Sequence, residues 1–240
     1  MKKTPLIISH RGDLTNAVEN TIQAAESALN LGATGLEIDI RQCGSGEIVV
    51  FHDFSLKRMY NRPGYIGRTS FNDLKNIPLL KNGKETENTI DLLDNFLDRF
   101  KDKVQINLDA KTIHFFDFKF ADKILSHIRN HHLFHSVWVS CFNPFLLQIL
   151  RLKSKKIKTG YLFQTMLPIH ILYDKSVYTD AWHPHFRLLN NSFLKKSQKR
   201  KKQVFAWTVN DENAVKNISK FSLDGIITDN VPIVKDFYND

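Results

Sequence analysis

The chain has 240 residues, of which 42% are hydrophobic and 25% charged, an ordinary globular composition that excludes a disordered or fibrous polymer. No segment approaches membrane-spanning length, and the apolar run after Lys2-Lys3 stops at His10-Arg11, too short for the core of a secretory signal. A formal net charge of +9 suits an anionic partner without choosing among nucleic acid, a phosphorylated substrate and an acidic membrane; much of the excess lies at 153–158 and 195–202, where helix ends and solvated faces account for it.

Along the chain, short β-branched runs alternate with helical stretches. The expected strands are Leu6–His10, Leu36–Ile40, Ile48–His52, Val104–Ala110, Val137–Cys141, Thr159–Phe163, Ala181–His183, Val204–Val209 and Gly225–Thr228. Residues 41–47, between the second and third runs, are too few and too rich in turn formers for a crossover helix, so these two runs should form a hairpin-like excursion. Helices are expected to start at Asn20 with Gln23 three residues on, at Asn88 or Thr89, at Asn143 before Pro144, at Ser192 and at Asp211.

Such alternation predicts an α/β fold, a TIM (β/α)8 barrel, as a single domain over 1–240. An open doubly wound sheet would carry a Gly-rich turn after its first strand, and Gly12 alone does not supply one. Within a small irregular insertion near 55–87, residues 61–84 hold Pro63, Gly64, Gly67 and Gly83 and should cover one mouth of the barrel. Cys43 and Cys141 read as buried free thiols, which points to a reducing, cytoplasmic setting.

In Gly35-Leu-Glu-Ile-Asp-Ile40 a strand puts Glu37 and Asp39 on one face and Leu36, Ile38 and Ile40 on the other. Gln105-Ile-Asn-Leu-Asp-Ala-Lys111 repeats the pattern with Asn107, Asp109 and Lys111. Carboxylates crowded into a barrel repel one another unless a cation sits among them, and oxygen ligands suit a hard divalent ion. His10 and His52 fall at C-terminal strand ends, where barrel enzymes collect catalytic groups. Zinc ligation is one reading of the histidines. A pair of proton-transfer groups, with Arg11 and Lys111 complementing phosphate charge, is the better one.

Ser9-His10-Arg-Gly12, Glu19-Asn-Thr21, Glu37-Ile-Asp39, Val49-Val-Phe-His52-Asp53, Asn107-Leu-Asp109-Ala-Lys111, Ala206-Trp-Thr-Val-Asn210 and Asp224-Gly-Ile-Ile-Thr-Asp229 occur in one order along the chain. In that ordered series the sequence resembles the glycerophosphodiester phosphodiesterase family, a group of phospholipase C-like TIM barrels. The resemblance implies that His10 and His52 are the acid and base, in an order left open. It implies that Arg11 and Lys111 contact phosphate, that Trp207 lines the alcohol pocket, and that Glu37, Asp39 and Asp109 bind one divalent cation, Ca²⁺ or Mg²⁺. Trp207 reads equally well as a core aromatic. Glu19 and Asn20 should shape the first loop and cap its helix, with contact between Asn20 and the site as the alternative.

Two departures stand out: the third carboxylate is Asp109 where the family usually has Glu, and the first loop, 13–18, lacks the family's proline before Glu-Asn-Thr. The implied reaction is metal-dependent hydrolysis of a small-molecule glycerophosphodiester to glycerol 3-phosphate and an alcohol, with no nucleic-acid partner. A lipid-directed, phospholipase D-like enzyme in peripheral contact with an anionic membrane and a non-catalytic phosphate-binding barrel are the alternatives. Oligomeric state is not legible.

Overall fold

The computed structural model describes residues 4–165 and 178–239, so Lys2-Lys3 lies outside the described residues. Eight parallel strands close on themselves: β1 (Leu6–His10), β2 (Gly35–Gln42), β6 (Gln105–Ala110), β7 (Val137–Cys141), β8 (Lys158–Phe163), β9 (Ala181–Pro184), β10 (Gln203–Ala206) and β11 (Gly225–Thr228). The barrel is completed where β1 pairs with both β11 and β2. β3 (Ile48–Val50) is the excursion, pairing antiparallel to β2 with Ile40 opposite Val50.

Outward-facing apolar side chains of the strands, such as Leu36, Ile38 and Ile40, are buried against the surrounding helices. Those helices are α1 (Ile22–Leu31), α4 (Leu93–Phe100), α5 (Phe118–Asn130), α6 (Pro144–Lys153), α7 (Asn191–Lys199), α8 (Glu212–Ser219) and α9 (Val231–Asn239). Asn143 and Asp211 cap α6 and α8 as expected. Three starts differ. Thr21, not Asn20, caps α1, because Asn20 stands in the left-handed region at φ 60° and turns its amide elsewhere. α4 begins after Leu92, which has no side-chain cap bond, while Asn88, four residues earlier, accepts the Leu79 amide on its backbone carbonyl and donates from Nδ2 to Gln23. α7 is capped by Asn190, whose Oδ1 accepts from the Phe193 amide, leaving Ser192 inside the first turn.

Residues 55–87 hold α2 (Lys57–Tyr60), a 3₁₀ turn (Ile66–Arg68), α3 (Phe71–Leu74), β4 (Leu80–Lys81) and β5 (Lys84–Glu85). They form a second small core, in which Leu56, Met59, Ile66 and Leu74 pack on Val49 and Phe51. None of them lines the central cavity, so the insertion walls one side of the mouth instead of covering it. It is fixed there by the Gly44 amide to the Thr69 carbonyl (2.7 Å) and Lys81 Nζ to the Thr15 carbonyl (2.7 Å). Cys43 and Cys141 are buried and unpaired.

Candidate active site

Strand register assembles the polar centre. His10 lies opposite Glu37 across β1 and β2, and Glu37 and Asp39 lie opposite Asn107 and Asp109 across β2 and β6. Because side chains alternate along a strand, these five share the inner face near its C-terminal end. The next turn is shaped by Gly12, at φ 90°, where a Cβ would stand 2.5 Å from that of Ala24. The chain passes so close to α1 that only glycine fits.

Glu37, Asp39 and Asp109 are all buried. Burial, reinforced by Asp39, pushes the Glu37 carboxyl up to about 8. Burial also raises Asp109, and Lys111 only partly opposes it. Asp39 goes the other way: burial is outweighed by Lys111 and Arg11, which hold it below the usual carboxylate range. Lys111 Nζ bonds Asp109 and stands 3.1 Å from Asp39 Oδ1, and Arg11 Nε is 2.9 Å from Asp39 Oδ2. Asn20 Nδ2 donates to Asp39 Oδ2 (2.8 Å) while its Oδ1 accepts the Asp39 amide (3.0 Å), so Asn20 belongs to the site and not to the helix cap.

Those contacts leave an unfilled requirement. Glu37 Oε2 and Asp109 Oδ1 are buried without a hydrogen-bond partner among the described residues, and Asp39 Oδ1 has only the ion pair with Lys111. One oxygen from each carboxylate lies within 4.8 Å of the other two. Orphaned buried carboxylate oxygens are costly, and an all-oxygen donor set fits a hard divalent cation better than zinc.

Both histidines are held by a carboxylate. His10 Nδ1 bonds Asp229 Oδ1 at 2.6 Å, leaving Nε2 3.9 Å from Glu37. Burial lowers the His10 pKa, but Glu37 and the bond to Asp229 more than offset this, so it is raised. His52 Nδ1 bonds Asp53 Oδ1 at 2.8 Å. An ionised carboxylate only accepts, so in each ring Nδ1 carries the proton and Nε2 is free for chemistry. Arg58 clamps Asp53 and Glu19 through four bonds of 2.6 to 2.8 Å, and Glu19 reaches Arg11 at 3.3 Å. Arg41 Nε fixes the loop by donating to the His52 carbonyl at 2.6 Å.

A cavity of about 340 Å³ opens onto His10, Arg11, Glu37, His52, Asp109 and Lys111. Trp207 lines it as well, half-buried, with Nε1 donating to the His183 carbonyl (2.6 Å) and Phe142 edge-on at 5.6 Å. Asp39 is the one expected site residue screened from the cavity, lying behind Arg11 and Lys111. Asp229 and Asp53 stand in the quoted motifs without an assigned role, and Arg41 and Phe142 are not singled out by the sequence. Asp53 adjoins His52 and Asp229 ends the last strand's motif, so a search for partners of each histidine had a signal to follow. Arg41 and Phe142 had none.

The model of the glycerophosphoryl diester phosphodiesterase family matches residues 10–232. A glycerophosphodiester phosphodiesterase of Caldanaerobacter subterraneus subsp. tengcongensis is 28% identical over 229 residues, covering 93% of each chain. One from Bacillus altitudinis is 26% identical over 229 residues, covering 93% of this chain and 94% of its own. In three dimensions the chain is similar to an Oleispira antarctica phosphodiesterase solved in complex with the product sn-glycerol-3-phosphate. Its TM-score is 0.90 at 23% identity, over 99% of this chain and 98% of that one.

Proposed function

Because the chain belongs to the glycerophosphoryl diester phosphodiesterase family, we propose that it acts as one catalytic unit over 1–240 and hydrolyses glycerophosphodiesters to sn-glycerol 3-phosphate and an alcohol in the cavity between His10 and His52. The observation that carries this reading is the cluster of three buried carboxylates, two of them with orphaned oxygens, beside two carboxylate-anchored histidines. The product bound to the Oleispira antarctica enzyme is in keeping with it.

Glu37, Asp39 and Asp109 would hold one divalent cation, Ca²⁺ or Mg²⁺. When bound, such an ion supplies Lewis-acid polarisation of phosphoryl oxygens. Arg11 and Lys111 add fixed positive charge where the equatorial oxygens gain negative charge in the transition state. One histidine takes the proton of the attacking water through Nε2 as oxygen bonds to phosphorus. The other delivers its proton to the departing alkoxide as the opposite P–O bond breaks. The Trp207 and Phe142 rings border the side of the cavity that takes the alcohol.

The test is release of glycerol 3-phosphate from glycerophosphocholine, -ethanolamine, -glycerol and -inositol by chelator-stripped protein with Ca²⁺, Mg²⁺ or Mn²⁺ restored. Turnover should require added metal. Asp109, one methylene shorter than the family's usual Glu, should favour Ca²⁺, which tolerates irregular shells, over Mg²⁺, which requires near-octahedral ligands at about 2.0–2.1 Å. Asp109→Asn should raise the metal concentration for half activity by about tenfold or more, since it removes a charged ligand. Full turnover by stripped protein refutes the metal assignment, and no product from any of the four substrates refutes the function.

A further inference from the structure

Seven of the ten large apolar side chains exposed among the described residues stand around one face, the C-terminal rim of the barrel: Phe54, Tyr65, Ile113, Phe115, Phe116, Phe118 and Phe142. Four belong to one short stretch after β6: Ile113 (66% exposed), Phe115 (61%) and Phe116 (59%) in the loop, and Phe118 (55%) opening α5. Monomer surfaces seldom gather such residues without a partner.

That exposure is built in. The loop is pinned from beneath by Asn143 Nδ2, which donates to the His114 and Phe115 carbonyls at 3.0 Å each. Thr112 Oγ1 donates to Asp117 Oδ2 (2.6 Å), and the Phe120 amide donates to Asp117 Oδ1 (3.1 Å). Phe115 and Phe116 meet edge to face, and both contact Phe145, tilted and edge-on, with centroids 4.4 to 5.4 Å apart. These bonds and ring contacts fix the loop with its rings exposed.

The charge around them is mainly positive. Cations sit over the rings at 5.6 to 5.9 Å: Arg41 on Phe54, Arg68 on Tyr65, Lys111 on Phe142 and Lys153 on Phe118. Lys119 is exposed within the same stretch. Against these cations stand Asp117, hydrogen-bonded within the loop, and Asp122, paired with Lys153 at 2.7 Å, which leaves Arg41, Arg68 and Lys119 as the excess. Two grooves of about 410 and 430 Å³ flank the loop, and both reach Lys111, which also lines the central cavity.

A second copy of this chain would bring like charges together on this face. Aromatic and aliphatic tips among lysines and arginines match instead the boundary between anionic head groups and acyl chains. We propose that the rim around Ile113, Phe115, Phe116 and Phe118 docks on an anionic lipid bilayer, with the cavity facing the head groups. The proposal does not rest on the catalytic reading, because membrane binding is measured without turnover.

The experiment is vesicle flotation of the full chain with phosphatidylcholine alone and with phosphatidylglycerol added. Wild type should bind the anionic vesicles and release at high salt. Phe115→Ser/Phe116→Ser should weaken binding by about tenfold or more, as expected for withdrawing two phenylalanine rings from the interface, and Lys119→Glu by several-fold. Both variants should keep the wild-type Tm and the wild-type rate on soluble glycerophosphocholine. No binding by wild type to anionic vesicles overturns the proposal, as does equal binding by wild type and the double variant. A dimer, or binding to nucleic acid, that the same substitutions abolish while vesicle binding is absent assigns the face to another partner and overturns it too. Vesicle binding by a protein that turns over no diester leaves the docking surface standing and refutes only the catalytic reading.

Discussion

Acid should weaken this fold through one histidine that takes no part in the proposed chemistry. His183, on β9, is 1% exposed inside the barrel, and neither ring nitrogen has a hydrogen-bond partner among the described residues. Its ring lies 5.0 Å from that of Phe205, and a Cβ on Gly160 would come within 2.3 Å of Nε2, so the glycine makes the room the imidazole fills. Burial pushes its pKa down from 6.5 to about 3. The unfolded chain therefore binds a proton below pH 6.5 that the folded chain refuses. Stability is fully present above 6.5 and falls with decreasing pH until about 3. The slope is about 1.4 kcal/mol per unit, so moving from pH 7 to pH 5 costs about 2 kcal/mol from this residue alone. Other groups also titrate, and His183→Leu, close in volume, separates their share. Urea melts of both proteins at pH 7, 6 and 5 should show wild type losing about 2 kcal/mol more than the variant over that range. Parallel losses would mean that the ring is protonated or hydrogen-bonded in the native state, and the reasoning would fail.

Asp229→Asn removes the acceptor that fixes the proton on His10 Nδ1, and an amide can donate as readily as accept. Turnover of a glycerophosphodiester should show kcat falling by about 10²–10⁴ with KM and Tm little changed; an unchanged kcat would show that the tautomer does not matter. Gly12→Ala demands φ 90° of an alanine and drives its Cβ against the α1 backbone, 2.6 Å from the Ala24 carbonyl carbon. Equilibrium unfolding should register a loss of roughly 2–4 kcal/mol, and a loss under about 0.5 kcal/mol would mean that loop and helix separate easily.

Strand identity and the inward pairing of Glu37 with Asp39 were legible because alternation is local: a period of two in eight residues fixes which face is polar. The β2–β3 hairpin was legible from the shortness of residues 41–47 alone. Helix starts were less so, since Asn20, Thr21, Asn88 and Ser192 are all plausible caps by type. Which of them caps depends on partners such as Asp39 or Gln23 that sequence spacing does not reveal. Asn20 shows the limit well, because a residue suited to cap α1 is drawn into the site by a carboxylate nineteen positions away. The support behind His10 comes from Asp229, 219 positions later, and only closure of β1 on β11 makes them neighbours.

β3 is hydrogen-bonded to β2 outside the ring of eight, and His52 follows directly from it. His10, by contrast, ends a barrel strand whose position is locked by its neighbours on both sides. The span between the two imidazoles is thus set like an adjustable jaw, one arm fixed in the frame and the other on an appended slide. Two residues added to or removed from the hairpin would move the His52 arm by about 6.6 Å along its own axis, at the cost of the Arg41 bond to the His52 carbonyl and the Phe51 amide bond to the Asp39 carbonyl. Hairpin length therefore sets where His52 stands, while the carboxylates rooted in the frame stay as they are.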